Sequence, residues 1–260
     1  MLIKTSESKQ WTADPFLEKF FRIPSIYYQD RMKKGGFIPE GKLILDFGCG
    51  SGLITYGLVA YLKPERVVGV DLDLYVDEEE NAQVARRFGF DIAELKKKVD
   101  FKSIRTNDSL GNSCYDCVLS WSVIEHIDRR VFVEQMRTIY ECLKPNGVAI
   151  IQSAPLYYSP YGSHVYDLPP WSHLYMSEAE FEETVYATAD VPRATSLLSC
   201  KNTLNRLSSN EFKNNIIAAG FYIEDCYLTE TSHMPPERLL EKYNKNIIME
   251  EQIVLLLRKS

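Results

Sequence analysis

The stretch from Lys42 to Leu62 constrains the fold more than any other. Lys42–Phe47 (KLILDF) reads as a short buried strand, and Leu53–Leu62 reads as a helix. Between them stands Gly48-Cys49-Gly50-Ser51-Gly52. Glycines at alternate positions let the backbone bend tightly and approach a ligand closely. The helix that begins just beyond presents unpaired N–H groups, which attract a carboxylate or phosphate. A strand, a glycine turn and a helix at the carboxyl edge of a parallel sheet form the place where such folds bind ligands.

The rest of the first half repeats this alternation. Arg66–Asp71 (RVVGVD) is a second strand and Asp77–Arg87 a helix opened by four acids. Those carboxylates favour the positive end of a helix dipole, and Lys96, Lys97 and Lys98 close the next helix for the mirrored reason. Val99–Ile104 and Cys117–Trp121 are a third and fourth strand, and Asp128–Leu143 is an amphipathic helix stopped by Pro145-Asn146-Gly147. Val148–Ser153 is a fifth strand. From Ala154 to about Ser199 the pattern is irregular, with one clear helix near Ser177–Tyr186. Ser209–Ala219 is a helix, Phe221–Thr229 a strand, Pro236–Tyr243 helical, and Ile247–Lys259 a closing strand. The expected fold is α/β: a doubly wound, mostly parallel sheet of seven strands with an antiparallel last strand. A single domain over 1–260 would carry an N-terminal helical cap at 1–40 and a lid inserted at 154–199.

The glycine loop differs from two relatives. A dinucleotide fingerprint, G-x-G-x-x-G, needs its third glycine where Leu53 stands, and a P-loop needs Lys then Ser or Thr where Leu53-Ile54 follow. Asp46, two residues before the first glycine, would repel a pyrophosphate and suits a cationic group. The run Ile44–Gly52 resembles the first motif of class I S-adenosylmethionine-dependent methyltransferases. Val70-Asp71 is similar to that family's ribose-binding acid. Tyr115–Trp121 with Glu125-His126-Ile127 resembles its fourth-strand motif, and Leu143-Lys144-Pro145-Asn146-Gly147 the turn before its fifth strand. The resemblance implies S-adenosylmethionine as cofactor. By it, Asp46 lies near the methionine end, Gly48 and Gly50 lie against the cofactor, and Asp71 holds the ribose. Leu72 borders the cofactor, Ser120 and Trp121 flank its methionine end, and Tyr27 or Tyr28 comes within its reach. The acid this family often carries after its third strand is displaced here to Asp108, so the adenine contact stays open.

Methyl transfer from a sulfonium is an in-line displacement, and a hydroxyl acceptor gains from a base that titrates near neutrality, most often His. The chain has four: His126, His164, His173 and His233. His126 follows the fourth strand. His164 and His173 lie in Leu156–Tyr175, a stretch with five Tyr and one Trp. Such a wall is apolar with polar tips, and a lid of this kind excludes water. We assign His164 as base, with His126 as the second catalytic candidate. Tyr158, Tyr161, Tyr166, Asp167 and His173 are the substrate-lining candidates. No metal is expected: a divalent-ion set of the form E-x-x-E-H would need an acid where Ser122 stands. The segment Gly162-Ser163-His164-x-Tyr166-Asp167, followed by Pro170-Trp171, is similar to methyltransferases that decorate bacterial surface polysaccharides, including with phosphoramidate.

Charge then narrows the substrate. Thirty Lys and Arg against 36 Asp and Glu leave a net charge of −6, which argues against a phosphate-backbone substrate. No apolar run approaches the roughly 20 residues of a membrane helix. Met1–Gln10 lacks the apolar core of a signal peptide, so the expected site is the cytoplasm. The six Cys are scattered and read as reduced. Three functions fit: an O-methyltransferase of a small polar metabolite, an N-methyltransferase, or a cofactor-binding partner subunit without chemistry. The Asn-Pro-Pro-Tyr type of motif of amino-methylating nucleic-acid enzymes is absent, since Leu119-Ser120-Trp121-Ser122 stands there. The intact loop with Asp46 and Asp71 argues against the third.

Overall fold

The computed structural model describes residues 18–106 and 108–259. Trp11, Phe16, Leu17 and the Met1–Gln10 stretch lie outside the described residues. Helices and strands alternate as α1 (Ile23–Lys34), β1 (Leu43–Phe47), α2 (Leu53–Leu62), β2 (Arg66–Asp71), α3 (Glu78–Arg87), α4 (Ile92–Lys96), β3 (Val99–Ser103) and β4 (Tyr115–Trp121). Next come α5 (Phe132–Cys142), β5 (Leu143–Ser153), α6 (Ser172–Tyr175), α7 (Glu178–Thr188), α8 (Val191–Thr203) and α9 (Ser209–Ala218). The chain closes with β6 (Tyr222–Glu230), α10 (Glu237–Leu240), α11 (Lys245–Met249) and β7 (Glu250–Arg258). Among the described residues no helix is long and apolar enough to cross a membrane.

The strands form a seven-stranded sheet in the order β3-β2-β1-β4-β5-β7-β6. β1 pairs in parallel with both β2 and β4, and β2 pairs in parallel with β3. β7 runs the other way. Lys259, just past its end, bonds Asn146 and Gly147 early in β5, while Glu251 near its start accepts from Leu156 beyond the end of β5. This is the doubly wound, mostly parallel architecture with an antiparallel last strand. The strand order reverses between β1 and β4, the point where open α/β sheets bind ligands.

Contacts group the chain into two compact units. The first holds residues up to Trp121, Thr138–Ile150 and the end from Leu256, and the second Ser122–Arg137 and Ile151–Leu255. In the first unit, β1, β2 and β4 bury Ile44, Leu45, Val67, Val68, Val118 and Leu119. α2 is apolar nearly all round, as a helix enclosed on all sides must be. Phe21, fully buried, stacks on Phe88 at 5.1 Å. Enclosing a side chain of that size contributes about 1.5–3 kcal/mol. Asp77 caps α3 by accepting from the Glu80 N–H at 2.9 Å, and three acids fill the first turn.

The second unit is built on caps. Ser177 with Glu180 and Ser208 with Glu211 form capping boxes that start α7 and α9. Val165, Leu168, Phe181, Val185 and Ala194 form one buried cluster, and Trp171, Leu174, Leu239 and Ile248 another.

The structure differs from the sequence pattern in three places. α8 fills residues expected to be irregular, because Asp190 caps it and Pro192 stands in its first turn. The Pro145-Asn146-Gly147 turn lies inside β5: Asn146 keeps the left-handed conformation of a turn (φ 62°), yet Lys259 still pairs across it. Ile247–Met249 is helical in α11, and the closing strand starts at Glu250.

Candidate active site

The glycine loop sits at the carboxyl end of β1, inside the first unit. The Gly48 and Cys49 N–H groups both donate to the Val70 carbonyl, at 2.8 and 3.1 Å, which folds the loop against β2. Gly52 then enters α2 with φ +80°, and a Cβ there would stand 2.6 Å from the Phe101 ring. Gly50 also has a left-handed φ, +50°, but open space where a Cβ would stand. Its N–H donates to Asp71 Oδ2 at 2.8 Å, and the Asp73 N–H donates to Asp71 Oδ1 at 3.0 Å. Each Asp71 oxygen so keeps a lone pair for a further donor. Leu72, the next residue, is exposed.

Asp46 lies deeper, at 2% exposure. The Thr55 hydroxyl, one turn into α2, donates to its Oδ2 at 2.6 Å. Burial pushes the Asp46 carboxyl up to about 7, with the Thr55 bond opposing and the Asp71 charge adding to the rise. Burial likewise raises the Cys49 thiol, so it stays protonated. Ser120 is fully buried and its hydroxyl donates to the Phe47 carbonyl at 3.0 Å, tying β4 to β1. Trp121 ends β4 half-exposed, with Tyr27 and Tyr28 edge-on to it at 5.8 and 5.7 Å. Tyr28 is fully buried, and burial followed by the Asp46 charge raises its phenol.

The second unit gathers a histidine cluster. Glu125 and His126 sit on a tight turn after β4, clamped by Asn205. The Asn205 amide donates to the Ile124 and Ile127 carbonyls at 2.7 and 3.1 Å. Glu125 is buried, and the Ser153 hydroxyl donates to its Oε2 at 2.9 Å while Oε1 has no partner. Burial pushes this carboxyl up to about 8. His126 Nδ1 meets Thr203 Oγ1 at 2.7 Å. The Thr203 hydroxyl gives its own proton to the Cys200 carbonyl at 2.7 Å, so Thr203 accepts and His126 Nδ1 donates. Nε2 of His126 therefore carries the lone pair. The His164 ring stands edge-on to His126 at 5.1 Å, and its Nδ1 lies 3.8 Å from Cys200 Sγ. His164 has φ 63°, a left-handed conformation uncommon outside glycine. Burial lowers the His126 pKa, which keeps the imidazole neutral.

A family model described as a methyltransferase domain matches residues 26–225. The chain belongs to this methyltransferase family. Solved structures share the fold at low identity. One is a candidate sarcosine dimethylglycine methyltransferase from Galdieria sulphuraria, with a TM-score of 0.56 and 13% identity over 91% of this chain and 85% of that one. Another is an S-adenosylmethionine-dependent methyltransferase from Mesorhizobium loti, with a TM-score of 0.50 and 15% identity over 88% and 96%. The cyclase SpnF is a third, with a TM-score of 0.54 and 14% identity over 90% and 80%. A cyclase on this fold illustrates that reaction is set by site and not by architecture. No curated protein matches the chain.

The methyltransferase cofactor is S-adenosylmethionine, and the first unit fits it. Asp71 has lone pairs left for a pair of hydroxyls, Gly50 opens onto free space, and Asp46 is a carboxyl in want of a positive neighbour.

In the second unit the lid residues divide by their partners. His173 Nε2 donates to the Tyr157 carbonyl at 2.6 Å, and burial brings its pKa down to about 4. Tyr158 packs with Tyr157 and Tyr175 on the cluster around Trp171. Tyr161 touches Tyr166 and His233 at ring distances of 5.6 Å each. Tyr166 is 58% exposed, and Asp167 pairs with Arg193. A depression of about 430 Å³ is lined by His126, Asp128, Arg129, Asn202, Thr203, Leu204, Asn205 and Arg206.

Sequence reasoning did not single out Thr55, Cys200, Thr203, Asn205 or Arg206. Thr55 carried a signal, since it lies two residues into a helix that begins beside Asp46. The others lie far in sequence from the residues they touch, and nothing local marks them.

Proposed function

We propose that the chain transfers a methyl group from S-adenosylmethionine to an oxygen of a small polar acceptor, a sugar- or phosphate-bearing metabolite. One observation carries the reading: a neutral imidazole, His126, whose Nε2 lone pair is left available by the Thr203 bond to Nδ1. The bound cofactor supplies an electrophilic methyl group on a sulfonium. Asp71 holds the ribose hydroxyls and Asp46 faces the positive methionine end, as carboxylates suit hydroxyl and ammonium donors. Gly48, Gly50, Leu72, Ser120 and Trp121 border the cofactor. His126, in place of the His164 expected from the sequence, takes the acceptor's proton at Nε2, because the Thr203 bond fixes its Nδ1 as donor, and His164 completes the imidazole pair. A base must be neutral to act, and burial keeps His126 so at pH 7. Arg129 and Arg206 line the depression beside His126, and a phosphate there would compete with their partners Glu211 and Glu178. None of Tyr158, Tyr161, Tyr166, Asp167 and His173 lines that depression; Tyr161 and the exposed Tyr166, ring to ring, are the lid residues we assign to the acceptor. The likeness of the segment around His164 to polysaccharide-decorating enzymes favours a precursor of such a polymer as acceptor.

The test supplies cofactor with a labelled methyl group to a panel of sugar phosphates and nucleotide sugars. Product NMR then locates the methyl group. His126→Ala is expected to lower kcat by about 10²–10⁴-fold while cofactor affinity by calorimetry holds. Label on nitrogen, or full activity in both His126→Ala and His164→Ala, overturns the reading.

A further inference from the structure

We infer that His126, His164 and Cys200 form a binding site for Zn²⁺. Their donor atoms lie within 4.8 Å of one another, and all three residues are half-buried. They come from three separate elements, the turn after β4, the lid and α8, so no local packing rule groups them. Tetrahedral zinc, with nitrogens at about 2.0–2.1 Å and sulfur at about 2.3 Å, sets ligand atoms about 3.4–3.6 Å apart. Cys200 Sγ and His164 Nδ1 already stand 3.8 Å apart. Closing the remaining gaps takes at most about 1.3 Å of side-chain movement against that spacing. A metal-bound histidine is usually oriented by a partner on its other nitrogen. His126 has that partner: Nδ1 donates to Thr203 at 2.7 Å, which leaves Nε2 for the metal. Thr203 stands three residues after Cys200 on α8, so one helix face carries both a ligand and the group that orients another.

The donor set selects the ion. Two imidazoles and a thiolate suit Zn²⁺, whereas Mg²⁺ and Ca²⁺ take oxygen ligands. Binding releases the thiol proton to solvent. Three protein ligands leave a fourth position to solvent or an incoming oxygen, the arrangement of catalytic zinc and not of structural zinc. An occupied site holds the Nε2 lone pair that the imidazole route uses. That consequence rests on the function proposed above, and the binding itself does not.

The test uses the full chain, stripped by a chelator and then dialysed against Zn²⁺ alone. One equivalent per chain is expected by elemental analysis. Co²⁺ in place of zinc is expected to give a thiolate-to-cobalt charge-transfer band. Cys200→Ser should abolish that band and weaken zinc binding at least about 100-fold, and Thr203→Val, which keeps all three ligands, should weaken it about 10- to 100-fold. Cys226→Ser, on β6 outside the triangle, should change neither readout. Metal-free melting curves separate a lost ligand from a lost fold. A wild type that takes up no zinc, or a cobalt band that survives Cys200→Ser, overturns the inference. Neither readout involves methyl transfer, so a chain that binds zinc, yet when metal-free binds the cofactor and methylates nothing, counts against the proposed function alone.

Discussion

Replacing Asp46 by Asn isolates the cost of burying one carboxyl beneath the glycine loop. Burial moves this group from 3.8 to about 7 in the folded chain. A carboxyl with a raised folded value holds its proton longer in the folded state. Stability is therefore fully present below about pH 4 and is lost as pH rises through about 7. The linkage relation gives a loss of about 4 kcal/mol by pH 8, of which about 1.7 kcal/mol has gone by pH 5. An amide has no such proton, so the variant does not follow this curve. It should gain about 2.5 kcal/mol on the wild type between pH 5 and pH 8. The new amide nitrogen lacks a partner and costs about 1–3 kcal/mol, but that cost is equal at both pH values and cancels. Glu125 titrates alike in both proteins and cancels too. Urea denaturation without cofactor measures the difference, which corresponds to about 5–10 °C in relative Tm for a chain of this size. A difference between variant and wild type that changes by less than about 0.5 kcal/mol from pH 5 to pH 8 refutes the desolvation argument.

Gly52→Ala should destabilise the first unit by about 2 kcal/mol or more, because it combines a left-handed residue with a methyl 2.6 Å from the Phe101 ring. Thermal melting checks it, and an unchanged Tm would show that the loop and Phe101 yield freely. Asp71→Asn should weaken S-adenosylmethionine about 10- to 100-fold by calorimetry. The melting point should fall modestly, by about 2–4 °C, since the amide keeps one acceptor oxygen where the Gly50 and Asp73 N–H groups each use one.

The first unit was legible because its signals are local. The strand, the loop and α2 occupy one continuous stretch, and Leu53–Leu62 and Arg66–Asp71 fall where the apolar pattern puts them. Asp77 and the acids after it announce α3 in the same way. The second unit was less legible because its order comes from distant partners. α8 carries Leu197, Leu198 and a buried Lys201 among polar residues, a weak stripe that tertiary contacts complete. β5 runs through a Pro-Asn-Gly turn because Lys259, over a hundred residues away, supplies the pairing. His126, His164 and Cys200 meet although each is more than thirty residues from the next, a spacing that matches no ligand motif.

The two buried carboxyls point to what the chain gains from its ligands. Asp46 is supported by the Thr55 hydroxyl, and Glu125 by the Ser153 hydroxyl with backbone N–H groups of its own residue and Ala154. A hydrogen bond to a charged group contributes about 1.5–3 kcal/mol, less than the desolvation of a buried carboxylate. The shortfall is visible in both groups, which titrate at about 7 and about 8. An apolar residue at either position would fold better, so stability alone does not account for them. Each is a proton-holding acid when alone and becomes a carboxylate beside a cation. A cation bound beside Asp46 would displace its proton near neutral pH. Both positions break the rule that a buried charge be paired, the kind of local exception expected at functional sites.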